Sequence, residues 1–202
     1  CPAFLENAWH RNGHGWGLLQ WGADGEPQVQ RGMRLPELLA AVSALPEPAR
    51  ALLHLRQATV GEVNLAMAHP FEVRPGVWLM HNGSLRHLAP RQPGHSDTAE
   101  LARLQTQASQ PVASLRGKAR SDAAEAAWTL GLLSLHGASV PRDDAQARFW
   151  FERARQLGAR LAPAGVAWCA IDGCGSAPDA AQAREALSAL RRTDPARAAH
   201  LE

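Results

Sequence analysis

Short apolar stretches separated by turn residues fill the first half of the chain. They predict strands at residues 2–5, 17–21, 52–56 and 77–81. Ala23-Asp24-Gly25 predicts a hairpin turn, and helices are expected at residues 36–45, with Pro36 in the first turn, and at residues 98–107. The pattern therefore predicts a mixed antiparallel sheet with helices.

Helical spacing replaces this pattern beyond a stretch that contains proline and serine at residues 110–120. Residues 122–158 contain Ala-x-x-Ala-x-x-Leu-Gly, then His-Gly-Ala-Ser-Val-Pro-Arg-Asp and Ala-Arg-Phe-Trp-Phe-Glu-Arg-Ala. They resemble a Sel1-like repeat, a helix-turn-helix unit of about 36 residues, and a degenerate second copy is expected at residues 159–193. Trp150 and Phe151 are expected to face the core between its helices.

The composition is that of a protein with two modest hydrophobic cores. The chain has 202 residues, 46% hydrophobic and 20% charged, and a net charge of +2 with dispersed arginines, so a nucleic-acid partner is not suggested. Its apolar runs are shorter than the roughly 20 residues of a membrane span. No charged-apolar leader is expected ahead of Cys1, with a cleaved leader as the open alternative. We therefore expect a cytoplasmic protein with no membrane partner.

The spacing of the three cysteines gives little support for a metal site. Cys169 and Cys174 are separated by four intervening residues, without CxxC or HExxH spacing, so no metal is expected. We expect both to be reduced and to pack as small apolar side chains on helices. Cys1 is different, because a first-position cysteine carries both a thiol and an α-amine.

The α-amine of Cys1 would titrate near pH 8 and its thiol near pH 8.5, so the amine can take the thiol's proton and make it a nucleophile. Other interpretations of Cys1 remain open at this point. They are an arbitrary start of the chain, a lipid-acceptor cysteine left by a signal peptidase, or removal of a methionine without functional consequence.

Five short motifs follow in an order that suits such a nucleophile. They are Asn12-Gly13-His14-Gly15-Trp16-Gly17, the segment from Leu55 to Gly61, His69-Pro70-Phe71, His81-Asn82-Gly83 and Ser96-Asp97-Thr98. Over residues 1–107 the chain resembles the class II glutamine amidotransferases. This resemblance implies a compact αββα N-terminal nucleophile hydrolase domain. With the small all-α helical-repeat domain that the Sel1-like resemblance implies, the expected fold class is α+β.

The motifs supply groups that a glutamine-like substrate needs. Arg56, which ends a predicted buried strand at residues 51–55, suits the α-carboxylate. Asp97 is expected to cap the helix, to hold the substrate ammonium as the resemblance implies, or to do both. The resemblance also implies that the Asn82 amide and the Gly83 N–H form the oxyanion hole. It places Thr59 near the glutamine.

Two histidines, His69 and His81, are further candidates for the site. His69, next to Pro70, is expected either to orient a loop by hydrogen bonding or to touch the substrate. The glycine-rich motif departs from the family, because His14 stands where an acidic residue is common before Gly-Trp-Gly. Trp16 and Gly17 are therefore expected to be structural. The stretch between Gly83 and Asp97 is also shorter than in the family, which predicts an open pocket.

The domain boundaries follow from these patterns. We expect an amidotransferase-like domain at residues 1–107, a linker at 108–121, two repeats at 122–194, and a tail at 195–202 whose Leu201-Glu202 looks vector-derived. Two repeats are too few to bury a solenoid core comfortably, so they should pack on the N-terminal domain or on another molecule.

The expected function is a Cys1-dependent amidohydrolase of the glutamine amidotransferase type, without a cofactor. It would hydrolyse glutamine or a γ-glutamyl amide through a thioester, and its repeats would dock a protein partner or an ammonia-accepting subunit. One alternative is a catalytically inactive adaptor that binds a partner through the repeats. Another is a protein glutamine deamidase, against which Arg56 and Asp97 argue because they suit a free amino acid.

Overall fold

The computed structural model describes residues 2–85, 88–138 and 140–201. It has an α+β architecture with small antiparallel sheets, as the pattern predicts. The chain divides into two compact units. The first extends to Ser84 and includes Leu88–Ala102; the second includes Leu85 and everything described from Arg103 onward.

The first unit contains three helices and five strands among its described residues. In chain order they are α1 (Pro2–Arg11), β1 (Trp16–Trp21), β2 (Pro27–Gly32), α2 (Leu35–Ser43), β3 (Ala51–Leu55), β4 (Phe71–Arg74), β5 (Val77–Leu79) and α3 (Asp97–Ser109), which continues into the second unit. A single 3-10 turn, Leu65–Met67, precedes β4.

A three-stranded antiparallel sheet of order β2-β1-β3 organises this unit. Trp16 and Leu18 of β1 are buried and pack with Leu38 and Ala41 of α2, so one face of the sheet holds the core. β4 and β5 form a separate two-stranded antiparallel sheet. The strands expected at residues 17–21, 52–56 and 77–81 and the helices at 36–45 and 98–107 are confirmed with small shifts in their ends.

Two sequence-based expectations about this unit are wrong. Residues 2–5 form the start of α1 rather than a strand. Pro2 suits a first helical turn, and the spacing of four places Leu5, the buried residue of α1, on one face with Trp9, which packs against the Trp16 core. β3 is not a buried strand: Leu52 is 51% exposed because β3 lies at the sheet edge.

The second unit is helical. Its helices are α4 (Gly117–His136), α5 (Asp144–Leu157), α6 (Ala162–Asp172), α7 (Ala180–Thr193) and α8 (Pro195–Ala199), after a 3-10 turn at Val112–Ser114. The first four form two consecutive helix pairs, α4 with α5 and α6 with α7. Asp143 and Asp179 cap the second helix of each pair, each accepting a backbone N–H within its first turn.

Phe151 packs between the two helix pairs and is 1% exposed. A Cβ added to Gly131 of α4 or to Gly165 of α6 would come within 3.0 Å of its ring, so both glycines make room for it. Trp150 is also buried, which confirms the structural interpretation of the two aromatic residues. The exposed aromatic residue of α5 is Phe149, at 56%.

The expectation that the two later cysteines are reduced is wrong, because Cys169 and Cys174 form a disulfide. Cys169 lies in the last turn of α6, and Gly173 ends that helix in the left-handed conformation. The chain turns back there, which leaves the two Cα atoms 4.8 Å apart, a normal separation for a disulfide. Among the described residues, no helix is long and apolar enough to cross a membrane.

Candidate functional site

A small polar cavity of about 140 Å³ in the first unit collects the motif residues; we call it the site cavity. It is lined by Asn12, His54, Leu55, Arg56, Gln57, Ala58, Thr59, Val60, His69, His81, Asn82, Gly83, Ser84, Ser96, Asp97 and Thr98. Every sequence-predicted site residue within the described ranges is therefore at this cavity. Cys1 lies outside the described residues.

Arg56 is 4% exposed and holds the loop that follows it. Its Nη1 donates to the Glu62 carbonyl at 2.7 Å and its Nη2 to the Val60 carbonyl at 3.2 Å. Burial lowers the pKa of Arg56, whereas the charge of Asp97 raises it. Two of the five guanidinium N–H donors thus fix the loop, and Asp97 supplies a counter-charge across the cavity.

The glycine-rich motif holds the same loop from the other side. The His14 backbone N–H donates to the Arg56 carbonyl at 2.9 Å, and the Arg56 N–H donates to the Gly15 carbonyl at 2.8 Å. The His14 side chain then accepts the Ala58 N–H through Nδ1 at 3.0 Å. The His14 ring therefore holds the loop after Arg56 in position, a role that the family resemblance did not suggest.

Asn82 and Gly83 present hydrogen-bond donors to the cavity. Both residues are exposed, and within the described ranges neither the Asn82 amide nor the Gly83 N–H has a hydrogen-bond partner. Gly83 has a φ of 104°, which favours glycine. The loop is tied to the Arg56 loop by Thr59 Oγ1 and Ser84 Oγ, which lie 2.8 Å apart. These two donors are available to a ligand oxygen.

Asp97 is not the helix cap. Ser96 accepts the Ala99 N–H at 3.1 Å through Oγ, the arrangement of an N-cap, and Asp97 is the first residue of α3. Asp97 is 6% exposed, and its Oδ1 accepts the Thr98 N–H at 2.8 Å. The expectation that Asp97 caps the helix is therefore wrong, and its role as a substrate ligand stays a prediction. Its carboxylate lines the cavity, near the first-turn amides that favour negative charge.

Three histidines form one wall of the cavity. The rings of His54 and His69 have centroids 4.0 Å apart, and His54 Nε2 donates to the His81 carbonyl at 3.1 Å. His69 is 4% exposed. Burial lowers the pKa of His69 to about 3, with further lowering from the charges of His54 and Arg56. Burial likewise lowers the pKa of His54. Both rings are neutral at pH 7.

Sequence reasoning missed several residues at the cavity. His54 interrupts the apolar stretch of β3, and a lone polar residue there was the available signal. Ser96 stands three residues before Ala99, the spacing of a cap, but the Ser-Asp pair made the two residues hard to distinguish. Asn12 belongs to the first motif but had no role assigned to it, and Ser84 carried no signal; both reach the cavity only through the folding of α1 and of the loop after β5.

Pro2, at the start of α1, is not among the residues that line the site cavity. Pro2 lines a separate groove with residues of α2 and the following loop, including Leu39, Val42 and Pro46. Asn12, which follows the other end of α1, lines the site cavity. α1 has 10 residues and rises about 1.5 Å per residue, so its two ends are roughly 14 Å apart.

The second unit has its own cavity, of about 490 Å³. Its lining is mainly apolar and includes Trp128, Phe151 and Trp168, with Arg197 and His200 at one side. This is the size range of small-molecule sites. Residues 2–85, 88–138 and 140–201 contain no group of three or more His, Cys, Asp or Glu side chains that could hold a metal ion.

Comparison with known proteins adds no family assignment: no family model, curated protein or solved structure matches the chain.

Proposed function

We propose that this protein is a Cys1-dependent amidohydrolase that acts on glutamine or a γ-glutamyl amide. The observation that carries the proposal is the site cavity itself. Arg56, Asp97 and the Asn82-Gly83 donors come from three separate segments of the chain and line one small polar space.

Substrate binding follows from the two buried charges. The Asp97 carboxylate pairs with the ammonium of an α-amino acid, and the Arg56 guanidinium attracts its carboxylate with the N–H donors that the loop leaves unused. Both charges are largely removed from water, which strengthens their attraction for a zwitterion. The substrate amide then extends toward Asn82 and Gly83.

The reaction begins when the Cys1 α-amine takes the thiol proton. The thiolate attacks the amide carbonyl carbon, and the oxyanion accepts hydrogen bonds from the Asn82 side chain and the Gly83 N–H. The C–N bond then breaks as the α-ammonium returns a proton to the leaving nitrogen, which departs as ammonia or an amine. Water cleaves the γ-glutamyl thioester and releases glutamate. No step needs a cofactor.

The second unit fits a docking role in this scheme. The ammonia is either released to solvent or passed to a separate acceptor subunit that binds the helical pairs. Phe149, at 56% exposure, and Trp168, at 42%, offer apolar contact surface on α5 and α6. A cytoplasmic location remains part of the proposal.

The mechanism is tested by trapping with a glutamine analogue that carries a diazo ketone. Intact mass and peptide mapping should show one adduct, on Cys1, and none on a Cys1→Ala variant. An Arg56→Met, Asp97→Asn double variant should label far more slowly, because the charges that bind the zwitterion are gone. Absence of labelling on the wild type, where a known glutaminase reacts, would count against the proposal.

A second candidate, an inactive adaptor, is favoured by the position of Pro2 at the far end of α1 from the site cavity. In that case the cavity binds an amino acid without turning it over, and the apolar cavity of the second unit receives a partner. Calorimetry separates the two candidates. An adaptor binds L-glutamine with the same heat in the wild type and in Cys1→Ala, and it releases no glutamate.

A further inference from the structure

Two of the four asparagines in the chain are followed by glycine, in the pairs Asn12-Gly13 and Asn82-Gly83. In such a pair the glycine amide nitrogen can attack the asparagine side chain, because glycine has no side chain to shield that nitrogen or to restrict the backbone. Asparagine is a thermolabile residue for this reason. The two pairs share this intrinsic reactivity, so the contacts that the fold gives to each of them decide which one reacts.

Asn12-Gly13 is held in place just after the last turn of α1. The Asn12 backbone N–H donates to the Ala8 carbonyl at 3.0 Å, and the Asn12 Nδ2 donates to the same oxygen at 3.4 Å. Gly13 packs so closely on the helix that an added Cβ would lie 2.9 Å from the Trp9 carbonyl oxygen. Bringing the Asn12 side chain onto the Gly13 nitrogen would disrupt these contacts, so the fold protects this pair.

Asn82-Gly83 has no comparable contacts. Both residues are exposed in the loop after β5, and neither the Asn82 amide nor the Gly83 N–H has a hydrogen-bond partner in the part of the chain that the structure describes. Beyond its chain neighbours, the nearest described atom to a Cβ built on Gly83 would be Cε1 of His81, at 3.8 Å. Water therefore reaches the pair, and the Asn82 side chain has room to approach the Gly83 nitrogen.

We propose that Asn82-Gly83 is a self-modification site, which converts Asn82 to aspartate or isoaspartate with water as the only co-reactant. The Gly83 nitrogen forms a bond to Asn82 Cγ, the Cγ–Nδ2 bond breaks, and Nδ2 leaves as ammonia with the proton that the Gly83 nitrogen gives up. The product is a five-membered succinimide ring. Water then opens the ring at Cγ, which gives aspartate, or at the main-chain carbonyl carbon, which gives isoaspartate.

This modification replaces a neutral hydrogen-bond donor at the site cavity with a negative charge. An ionised carboxylate only accepts hydrogen bonds, so the donor that Asn82 offers to a ligand oxygen is lost. The new charge also adds to that of Asp97, which lines the same cavity. Both effects destabilise an oxyanion there, so the modification inactivates the enzyme. The inactivation rests on the proposed function, in which Asn82 donates to the oxyanion, whereas the modification itself does not.

The modification is tested by incubating the full chain in H₂¹⁸O at neutral pH and mapping both Asn-Gly peptides. Ring opening adds one ¹⁸O atom, which distinguishes conversion during the incubation from conversion during the digest. In the folded protein Asn82 should convert at least about tenfold faster than Asn12, because only Asn12 must first break local contacts. In the chain unfolded in urea the two rates should agree within about twofold, since that protection is gone.

Equal rates at Asn12 and Asn82 in the folded protein would overturn the proposal. So would aspartate without isoaspartate at position 82, because the succinimide ring opens to both products.

The inactivation is tested on the same incubated samples. Glutamate release by the wild type should fall in proportion to the converted fraction of Asn82. Asn82→Asp, which carries one of the two products from the start, should release glutamate at least about 100-fold more slowly than fresh wild type. Asn82→Gln is the control for other losses during incubation, because its longer side chain closes a ring far more slowly and should yield no acid at position 82.

These measurements separate the modification from the proposed function. If Asn82 converts faster than Asn12 but fresh wild type releases no glutamate, the modification site stands and the catalytic proposal falls. If the wild type turns over and Asn82 converts no faster than Asn12, the catalytic proposal stands and the modification site falls. If Asn82 converts and glutamate release does not change, the modification site stands, and the assignment of Asn82 as an oxyanion donor falls.

Discussion

The carbonyl oxygen of His69 lies directly against Gly17, so closely that a Cβ at position 17 would fall well within 3.0 Å of it. Gly17 is the second residue of β1 and is paired with His54 of β3 across the sheet. The missing side chain therefore lets the His69-Pro70 segment rest on the sheet. Through this contact, a structural glycine of the first motif sets the position of a cavity residue from the third.

Replacing Gly17 with alanine should damage both stability and binding. The added methyl group forces the His69 segment away from the sheet, and overpacking of this kind costs about 3 kcal/mol in the free energy of unfolding. We also expect glutamine binding to be lost. Urea denaturation checks the stability. Gly25→Ala is the control, because it also replaces a glycine but has no atom within 4 Å of the new Cβ and should cost only about 1 kcal/mol of backbone strain.

In the helical unit, Gly131→Ala should destabilise the protein, although alanine usually stabilises a helix relative to glycine. Alanine normally stabilises a helix over glycine by about 1 kcal/mol. Here its Cβ would collide with the Phe151 ring, so we expect a net loss of roughly 1 to 2 kcal/mol. In a Phe151→Leu background the collision is relieved, and the same change should become neutral or stabilising. A double-mutant cycle with no coupling between the two positions would contradict this packing.

The sequence predicts some elements of each unit and not others. Local signals suffice for β1, α2, α3 and the two helix pairs, because glycine, proline and aspartate mark their ends. The start of α1 is wrongly predicted as a strand because its four apolar or small residues suit either a strand or a helix. The packing of Leu5 and Trp9 on one face favours the helix. The disulfide depends on a left-handed turn at Gly173 that spacing alone does not reveal.

The candidate site, too, is predicted only in part from the sequence. Residue types and order predict which side chains meet at the site cavity, since each motif supplies one kind of group. Their roles depend on hydrogen bonds that no pattern contains. Arg56 binds its own loop and His14 accepts the Ala58 N–H. Ser96, rather than Asp97, caps α3.

Stability should fall in acid because of His69. Its pKa is lowered from 6.5 to about 3 on folding, so between these values the unfolded chain binds the proton and the folded one does not. The free energy of unfolding therefore decreases as the pH falls from about 6.5 toward 3, by up to about 5 kcal/mol at 1.36 kcal/mol per pKa unit. Denaturation at several pH values should give a shallower slope for His69→Gln. An unchanged slope would be inconsistent with a buried neutral His69; His10→Gln, at an exposed position, is the control.

The disulfide predicts a thiol count of one. Of the three cysteines, Cys169 and Cys174 are paired, so the denatured, unreduced protein should show only the Cys1 thiol. Closing so short a loop contributes roughly 2 kcal/mol on the chain-entropy model, and a Cys169→Ala, Cys174→Ala variant should lose about that much stability. Three reactive thiols would contradict the pairing. Disulfides are rare in reducing compartments. A count of one thiol in protein taken from its native cell would therefore argue against the predicted cytoplasmic location, and a count of three would agree with it.

The central claim is that Cys1 hydrolyses an amide bound in the site cavity. Its most direct test is to incubate the protein with L-glutamine and with a γ-glutamyl amide, and to quantify glutamate and ammonia. The controls are Cys1→Ala and a chain with one extra residue ahead of Cys1, which blocks the α-amine. We predict turnover by the unblocked wild type and none by either control. Glutamate release that continues in Cys1→Ala, or no release of glutamate by wild type that binds glutamine, would contradict the account.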